Sequence, residues 1–270
     1  MRPVRRVGPK DRPRRGIPLR AVAPNAVTAL ALCFGLSGVR FAISAAGGVE
    51  GDWEKALLSI LFAGVLDGLD GRIARMLKGE SRFGAELDSL SDVIAFGVSP
   101  AIVIYLWSLQ AMPQFGWTFA LAHAVCCALR LARFNAAIDT KEQPHKSAGF
   151  LTGIPAPAAA GLAFLPIYLW LWTGLGIFRE WYVVAPWVAA VAFLMVSDIA
   201  TFSWGALRLR HGVRFGALVG LAVVTGALIS APWATLTLAS LAYIAAIPFG
   251  MTAYRKVRRL REAASQPGAA

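Results

Sequence analysis

The chain has 270 residues, of which 57% are hydrophobic and 16% charged, with nine Trp and a mean hydropathy of +0.59. That composition excludes an ordinary soluble domain, which has no use for so many long apolar runs, and leaves no room for a separate soluble domain beside them. The net charge of +12 does not argue for a nucleic-acid partner; it reads as a topology signal plus attraction to anionic lipid headgroups, at roughly 1 kcal/mol per basic residue near the surface.

Residues 1–22 form a basic arm in which Pro3, Pro9, Pro13 and Pro18 oppose a continuous amphipathic helix, and no short apolar core ends there in a cleavage site. The membrane domain, 23–253, contains about eight apolar windows: 24–46, 54–77, 84–108, 114–137, 155–174, 181–203, 214–231 and 233–252. Pro24-Asn25 is expected to start the first of these, with Asn25 and Thr28 as helix caps in preference to a contact with bound ligand. Pro155 and Pro157 predict an extended approach to the fifth, because a residue preceding proline avoids helix. A basic tail, 254–270, closes the chain. Of 27 Lys and Arg, 24 lie in the arm, the tail and the joints after the second, fourth and sixth windows; Arg40, Lys55 and Arg179 are the exceptions. The expectation is an all-α polytopic bundle with both termini and those joints cytoplasmic. Cys33, Cys126 and Cys127 fall inside predicted spans and read as small buried apolar residues. His123 reads as packing, His145 as a solvated loop residue, and Arg40 as a residue that snorkels outward.

One stretch contradicts its surroundings. "LDGLDGRIARMLKGESRFGAELDSLSD" places Asp67, Asp70, Asp88 and Asp92 across the end of the second window and the start of the third. At about 100° per residue, Asp70 lies about 60° and Ala74 about 20° from Asp67, on one helix face. Gly84, Asp88 and Asp92, spaced four apart, share a face of the next helix. The turn "KGES", with Gly79 at the helix end, makes the two helices antiparallel, so the faces can meet. A central membrane aspartate costs about 2.5–3.5 kcal/mol on insertion scales, and four together also repel one another. Such a cluster needs a cation. With only oxygen ligands available, Mg²⁺ is the first expectation, with Mn²⁺ or Ca²⁺ open. Four carboxylates suffice for two ions about 3.5–4 Å apart, an arrangement that clamps a phosphoryl group. Gly71, Ala74 and Gly84 leave room for a ligand or for close helix packing. Arg75 suits a phosphate or a headgroup. Arg130 and Arg133, three apart at the end of the fourth window beside Asn135, suit a carboxylate or serve as plain positive-inside anchors.

The pattern D-x2-D-G-x2-A-R-x8-G-x3-D-x3-D, from Asp67 to Asp92, resembles the signature of the CDP-alcohol phosphatidyltransferases at every fixed position. The resemblance implies a helical membrane bundle, a homodimer with a cytoplasm-facing site, and a dinuclear Mg²⁺ or Mn²⁺ centre on Asp67, Asp70, Asp88 and Asp92. It implies further that Asp92 is the base that deprotonates the acceptor alcohol, and that Gly71, Ala74, Arg75 and Gly84 line the CDP site. "RRGIPLRAVAPNAVTALAL", "SRFGAELDSLSDVIAFGVSPA", "LRLARFNAA", "GIPAPAAA" and "FLMVSDIATFSW" look like the bacterial, inner-membrane branch of that family that joins CDP-diacylglycerol to serine. On that likeness Arg130, Arg133 and Asn135 are candidates for holding the serine. Asp198 belongs to no family motif that can be assigned. Choline, glycerol 3-phosphate or inositol phosphate as acceptor, and an ion-coupled transporter, are the alternatives; crowding of the acids at one membrane face on two successive helices speaks against the transporter.

Overall fold

A computed structural model of the chain describes residues 19–77, 79, 81–138, 150–197, 200–202 and 214–264. Most of the basic arm, Lys78 and Glu80 of the turn, His145, Lys146 and Asp198 lie outside the described residues. Each predicted window contains helix. The helices are α1 (Leu19–Ala46), α2 (Asp52–Leu77), α3 (Arg82–Asp92), α4 (Ser99–Trp107) and α5 (Gly116–Ile138). They continue with α6 (Ala156–Ala163), α7 (Leu165–Thr173), α8 (Trp181–Val196), α9 (Arg214–Ser230) and α10 (Pro232–Ala264). Among the described residues, four helical segments are long and apolar enough to cross a membrane: Val22–Ala46, Arg82–Trp107, Ala156–Thr173 and Pro232–Gly250. Trp181–Val196 and Leu218–Ser230 are shorter apolar helices. The protein is thus a helical membrane protein. α2 and α5 are long enough to span, at 26 and 23 residues, but carry the aspartates and arginines of interest.

Two local features differ from the expectation. α1 begins at Leu19, so Pro24 lies within the helix and Asn25 and Thr28 are interior residues, not caps. The helical bundle also carries one short antiparallel pairing, β1 (Phe150–Thr152) with β2 (Ala200–Phe202), in register Leu151 to Thr201. Gly153 follows β1 at φ +72°, where a Cβ would sit 2.7 Å from the Met195 carbonyl oxygen; only glycine fits there. Pro155 then holds the extended conformation predicted before the fifth window.

Small residues bring the helices together. Ala31, Ala42, Ala45, Ala56 and Ala63 are buried in α1 and α2, and a Cβ on Gly38 would lie 2.7 Å from Ile60 Cγ1 and 3.0 Å from the Ala56 carbonyl oxygen. Close backbone approach of this kind is how helices associate where no hydrophobic driving force separates them from lipid. Gly38→Ala is therefore expected to destabilise the protein by about 1–3 kcal/mol, with little change in activity per folded molecule; thermal unfolding in detergent beside a specific-activity assay checks both.

Proline shapes two of the spans. Pro166, near the start of α7, has no N–H to offer the Leu162 carbonyl four residues back, and Trp187 Nε1 of α8 donates to that oxygen at 2.8 Å. Pro100 plays the same part in the third span, where a π-helical turn, Val93–Val98, joins α3 to α4. Here His123 Nε2 of α5 donates to the Phe96 carbonyl at 3.2 Å. In both places a neighbouring helix replaces a donor that proline removes.

Lys55 pairs with the buried Asp52 at 2.6 Å and, with Arg40, flanks the Phe41 ring. Arg179 donates from Nε to the Trp107 carbonyl at 2.9 Å and lies over Trp53 and Trp170. The three basic residues that stand apart in the sequence thus gather at one end, and the site aspartates lie at the other, toward the C-terminus of α2.

Candidate active site

α2 carries Asp67 and Asp70 one turn apart, and its end is closed by the Gly79 N–H, which bonds to the Ala74 carbonyl at 3.0 Å. Ser81 caps α3, its Oγ accepting the Gly84 N–H at 3.0 Å, a satisfied donor at the helix start. These two terminations fix the reversal that sets Asp88 and Asp92 opposite Asp67 and Asp70. Carboxylate oxygens of Asp67, Asp70 and Asp88 all lie within 4.8 Å of one another. Asp92, the fourth predicted ligand, is not among these three converging groups; it stands beside Asp67, close enough for the two carboxyl groups to interact. Two carboxylates at that range need a proton or a cation between them.

α1 contributes more than its sequence suggests. Thr28, 4% exposed, sets its hydroxyl 2.6 Å from Asp70 Oδ2 and 3.1 Å from the Pro24 carbonyl. The hydroxyl has one hydrogen, and the shorter contact to a charged acceptor takes it. Asp70 is itself only 5% exposed, so this bond orients a carboxylate that water barely reaches. Ser91 donates to the Thr28 carbonyl at 3.4 Å, tying α3 to the same turn of α1. Asn25 reaches α3 too: a Cβ on Gly84 would meet Asn25 Oδ1 at 2.7 Å. The helix-interior position of both residues, hidden by Pro24 in the sequence, is what turns Thr28 to Asp70 and Asn25 to Gly84.

Of the predicted nucleotide-side residues, Gly71 leaves open space: a Cβ there would meet only Arg75 Nη1, at 3.7 Å. Ala74 is partly buried and Arg75 exposed. The predicted acceptor residues diverge. Arg130 is partly buried, its Nε has no hydrogen-bond partner among the described residues, and it lies within electrostatic reach of Asp92 and Tyr243. Arg133 instead reaches α8, donating from Nη1 to the Val196 carbonyl at 3.2 Å. Asn135 donates from Nδ2 to Ser89 Oγ at 2.9 Å, bracing the helix of Asp88 and Asp92 from α5.

This donor set fits a divalent cation: hard oxygens only, three of them converging from two helices, with a hydroxyl holding one carboxylate in place. The class so defined is a helical membrane protein with an acidic, oxygen-only cluster at one end of the bundle that could hold a metal ion. The profile of the family described as CDP-alcohol phosphatidyltransferase matches residues 21–197, and a second, CDP-alcohol phosphatidyltransferase 2, matches residues 213–248. A CDP-diacylglycerol–serine O-phosphatidyltransferase of Mycobacterium tuberculosis is 37% identical over 246 residues, covering 91% of this chain and 83% of that protein. Proteins of the same name from Mycobacterium leprae and Helicobacter pylori are each 36% identical, the first over 90% of this chain and 78% of its own length, the second over 54% and 57%. The chain belongs to the CDP-alcohol phosphatidyltransferase family.

Proposed function

We propose that the protein transfers the phosphatidyl group of CDP-diacylglycerol to the hydroxyl of L-serine, giving phosphatidylserine and CMP. The observation that carries this is the likeness, over nine-tenths of the chain, to relatives named for that reaction. Asp67, Asp70 and Asp88, with Asp92 as the fourth ligand of a dinuclear site, would hold Mg²⁺ or Mn²⁺. Bound there, the ions supply neutralising charge for the diphosphate and for departing CMP.

The serine hydroxyl attacks the lipid-side phosphorus, forming one P–O bond while the P–O bond to CMP breaks. Asp92 takes the hydroxyl proton. CMP leaves as the anion, and no covalent enzyme intermediate is needed. Arg130 would hold the serine carboxylate; its Nε, unpartnered among the described residues, and its electrostatic proximity to Asp92 support this. Arg133, drawn to the Val196 carbonyl, and Asn135, which braces Ser89, are the further acceptor-side candidates on the same helix. Gly71, Ala74, Arg75 and Gly84 line the CDP side. Gly84→Ala, which would displace Asn25 without touching a carboxylate, is expected to raise KM for CDP-diacylglycerol several-fold and leave the fold intact; initial rates across donor concentrations check this.

The protein sits in this reading as an eight-span homodimer in the bacterial inner membrane, surrounded by lipid, with both termini and the acidic site on the cytoplasmic face. The grouping of Arg40, Lys55 and Arg179 away from the acids supports that orientation. The test incubates purified protein with CDP-diacylglycerol, Mn²⁺ or Mg²⁺, and serine, choline, glycerol 3-phosphate or inositol phosphate separately. Phosphatidylserine from serine alone is expected. Product with a different alcohol would replace serine as acceptor, and absence of CMP release with every alcohol would overturn the enzyme reading.

A further inference from the structure

We propose that His123 is a positioning residue for Asp92, acting through the π-helical turn that follows it; the inference rests on Asp92 being the base. His123 lies on α5, wholly buried, with Nε2 3.2 Å from the Phe96 carbonyl oxygen and Nδ1 without a hydrogen-bond partner among the described residues. A carbonyl accepts, so Nε2 carries the hydrogen and the ring spends its one donor on this bond.

The turn it holds is unusual. Residues Val93–Val98 are π-helical, beginning immediately after Asp92, and the Ser99 N–H closes onto the Ile94 carbonyl five residues back. A π-turn inserts one extra residue, and such turns often mark functional sites. At about 100° per residue, that insertion decides how the face bearing Gly84, Asp88 and Asp92 is rotated against the face of α4 that packs in the core through Ala101 and Ile104. Relaxing the turn to α-helix would swing one face against the other by about the same angle, carrying Asp92 away from Asp67. Pro100 weakens the ladder at this point by lacking an N–H. α5 answers at two successive turns: His123 caps the Phe96 carbonyl, and Cys127, four residues on, packs so tightly on Gly97 that a Cβ there would sit 3.1 Å from its own. The same kind of bond from Trp187 to the Leu162 carbonyl lies in a span that carries none of the site aspartates, which provides an internal control.

The experiment compares His123→Leu, His123→Gln and Trp187→Phe in the purified full-length protein, measuring thermal unfolding, kcat, and KM for both substrates. Glutamine restores a donor near the position of Nε2; leucine keeps bulk and removes it. His123→Leu is expected to lose about 10- to 100-fold in kcat, the scale of a misplaced catalytic group, with both KM values within twofold of wild type. His123→Gln is expected to recover to within threefold of wild type. Trp187→Phe is expected to unfold at lower temperature with kcat unchanged. The inference is overturned if His123→Leu keeps wild-type kcat, if its loss falls in KM, if glutamine fails to rescue, or if Trp187→Phe slows turnover equally. Failure of His123→Leu to accumulate as folded protein would also overturn it, by assigning His123 to stability alone. Wild-type kcat in Asp92→Asn would sink the underlying reading instead, whatever the His123 variants do.

Discussion

Asp92→Asn is expected to lower kcat by about 10²–10⁴-fold, the range of a general base, while the protein inserts and folds as before. Asparagine keeps the shape of the side chain and one acceptor oxygen but cannot take a proton from the serine hydroxyl. Because Asp92 stands against Asp67, and Asp70 and Asp88 act on it as further like charges, the amide also removes repulsion from the metal-free site. The metal-free variant should therefore unfold no lower than metal-free wild type. Single-turnover rates on purified protein, beside thermal unfolding, separate the two effects. Wild-type kcat in the variant would remove Asp92 from the chemistry.

Chelation is the second large effect. Treatment with EDTA is expected to stop CMP release, and Mn²⁺ or Mg²⁺ to restore it. The same ions should raise the unfolding temperature, since a ligand bound by the folded state alone stabilises it by about 2.7 kcal/mol at a hundred times its Kd. Asp70→Asn should largely abolish that thermal shift: Asp70 is the most buried of the three converging carboxylates and the one that Thr28 orients. Full activity in EDTA, or an undiminished shift in Asp70→Asn, would show that the acids hold no ion needed for turnover.

What the sequence made legible was the part governed by strong local rules. Spacing on two helices and the reversal at "KGES" were enough to bring Asp67, Asp70 and Asp88 together, because helical periodicity and a capped turn leave few alternatives. The apolar windows located the helices for the same reason. The contributions of α1 were obscured by a local signal that the tertiary structure overrides: Pro24 reads as a helix start, yet the helix runs through it and turns Thr28 to Asp70 and Asn25 to Gly84. The π-turn before Pro100 and its partner His123 depend on how α5 packs, which no short-range pattern encodes. Arg130 and Arg133 shared a predicted face; packing of α8 drew Arg133 to the Val196 carbonyl. The β1–β2 pairing joins three-residue segments far apart in the chain, too short for a period to register.

The direct test of the central claim is a structure of the purified protein with Mn²⁺ and CDP-diacylglycerol, with manganese located by anomalous scattering. Manganese between the carboxylates of Asp67, Asp70, Asp88 and Asp92, in contact with diphosphate oxygens, is the predicted result. Nucleotide bound elsewhere, with those carboxylates free of manganese, would contradict it.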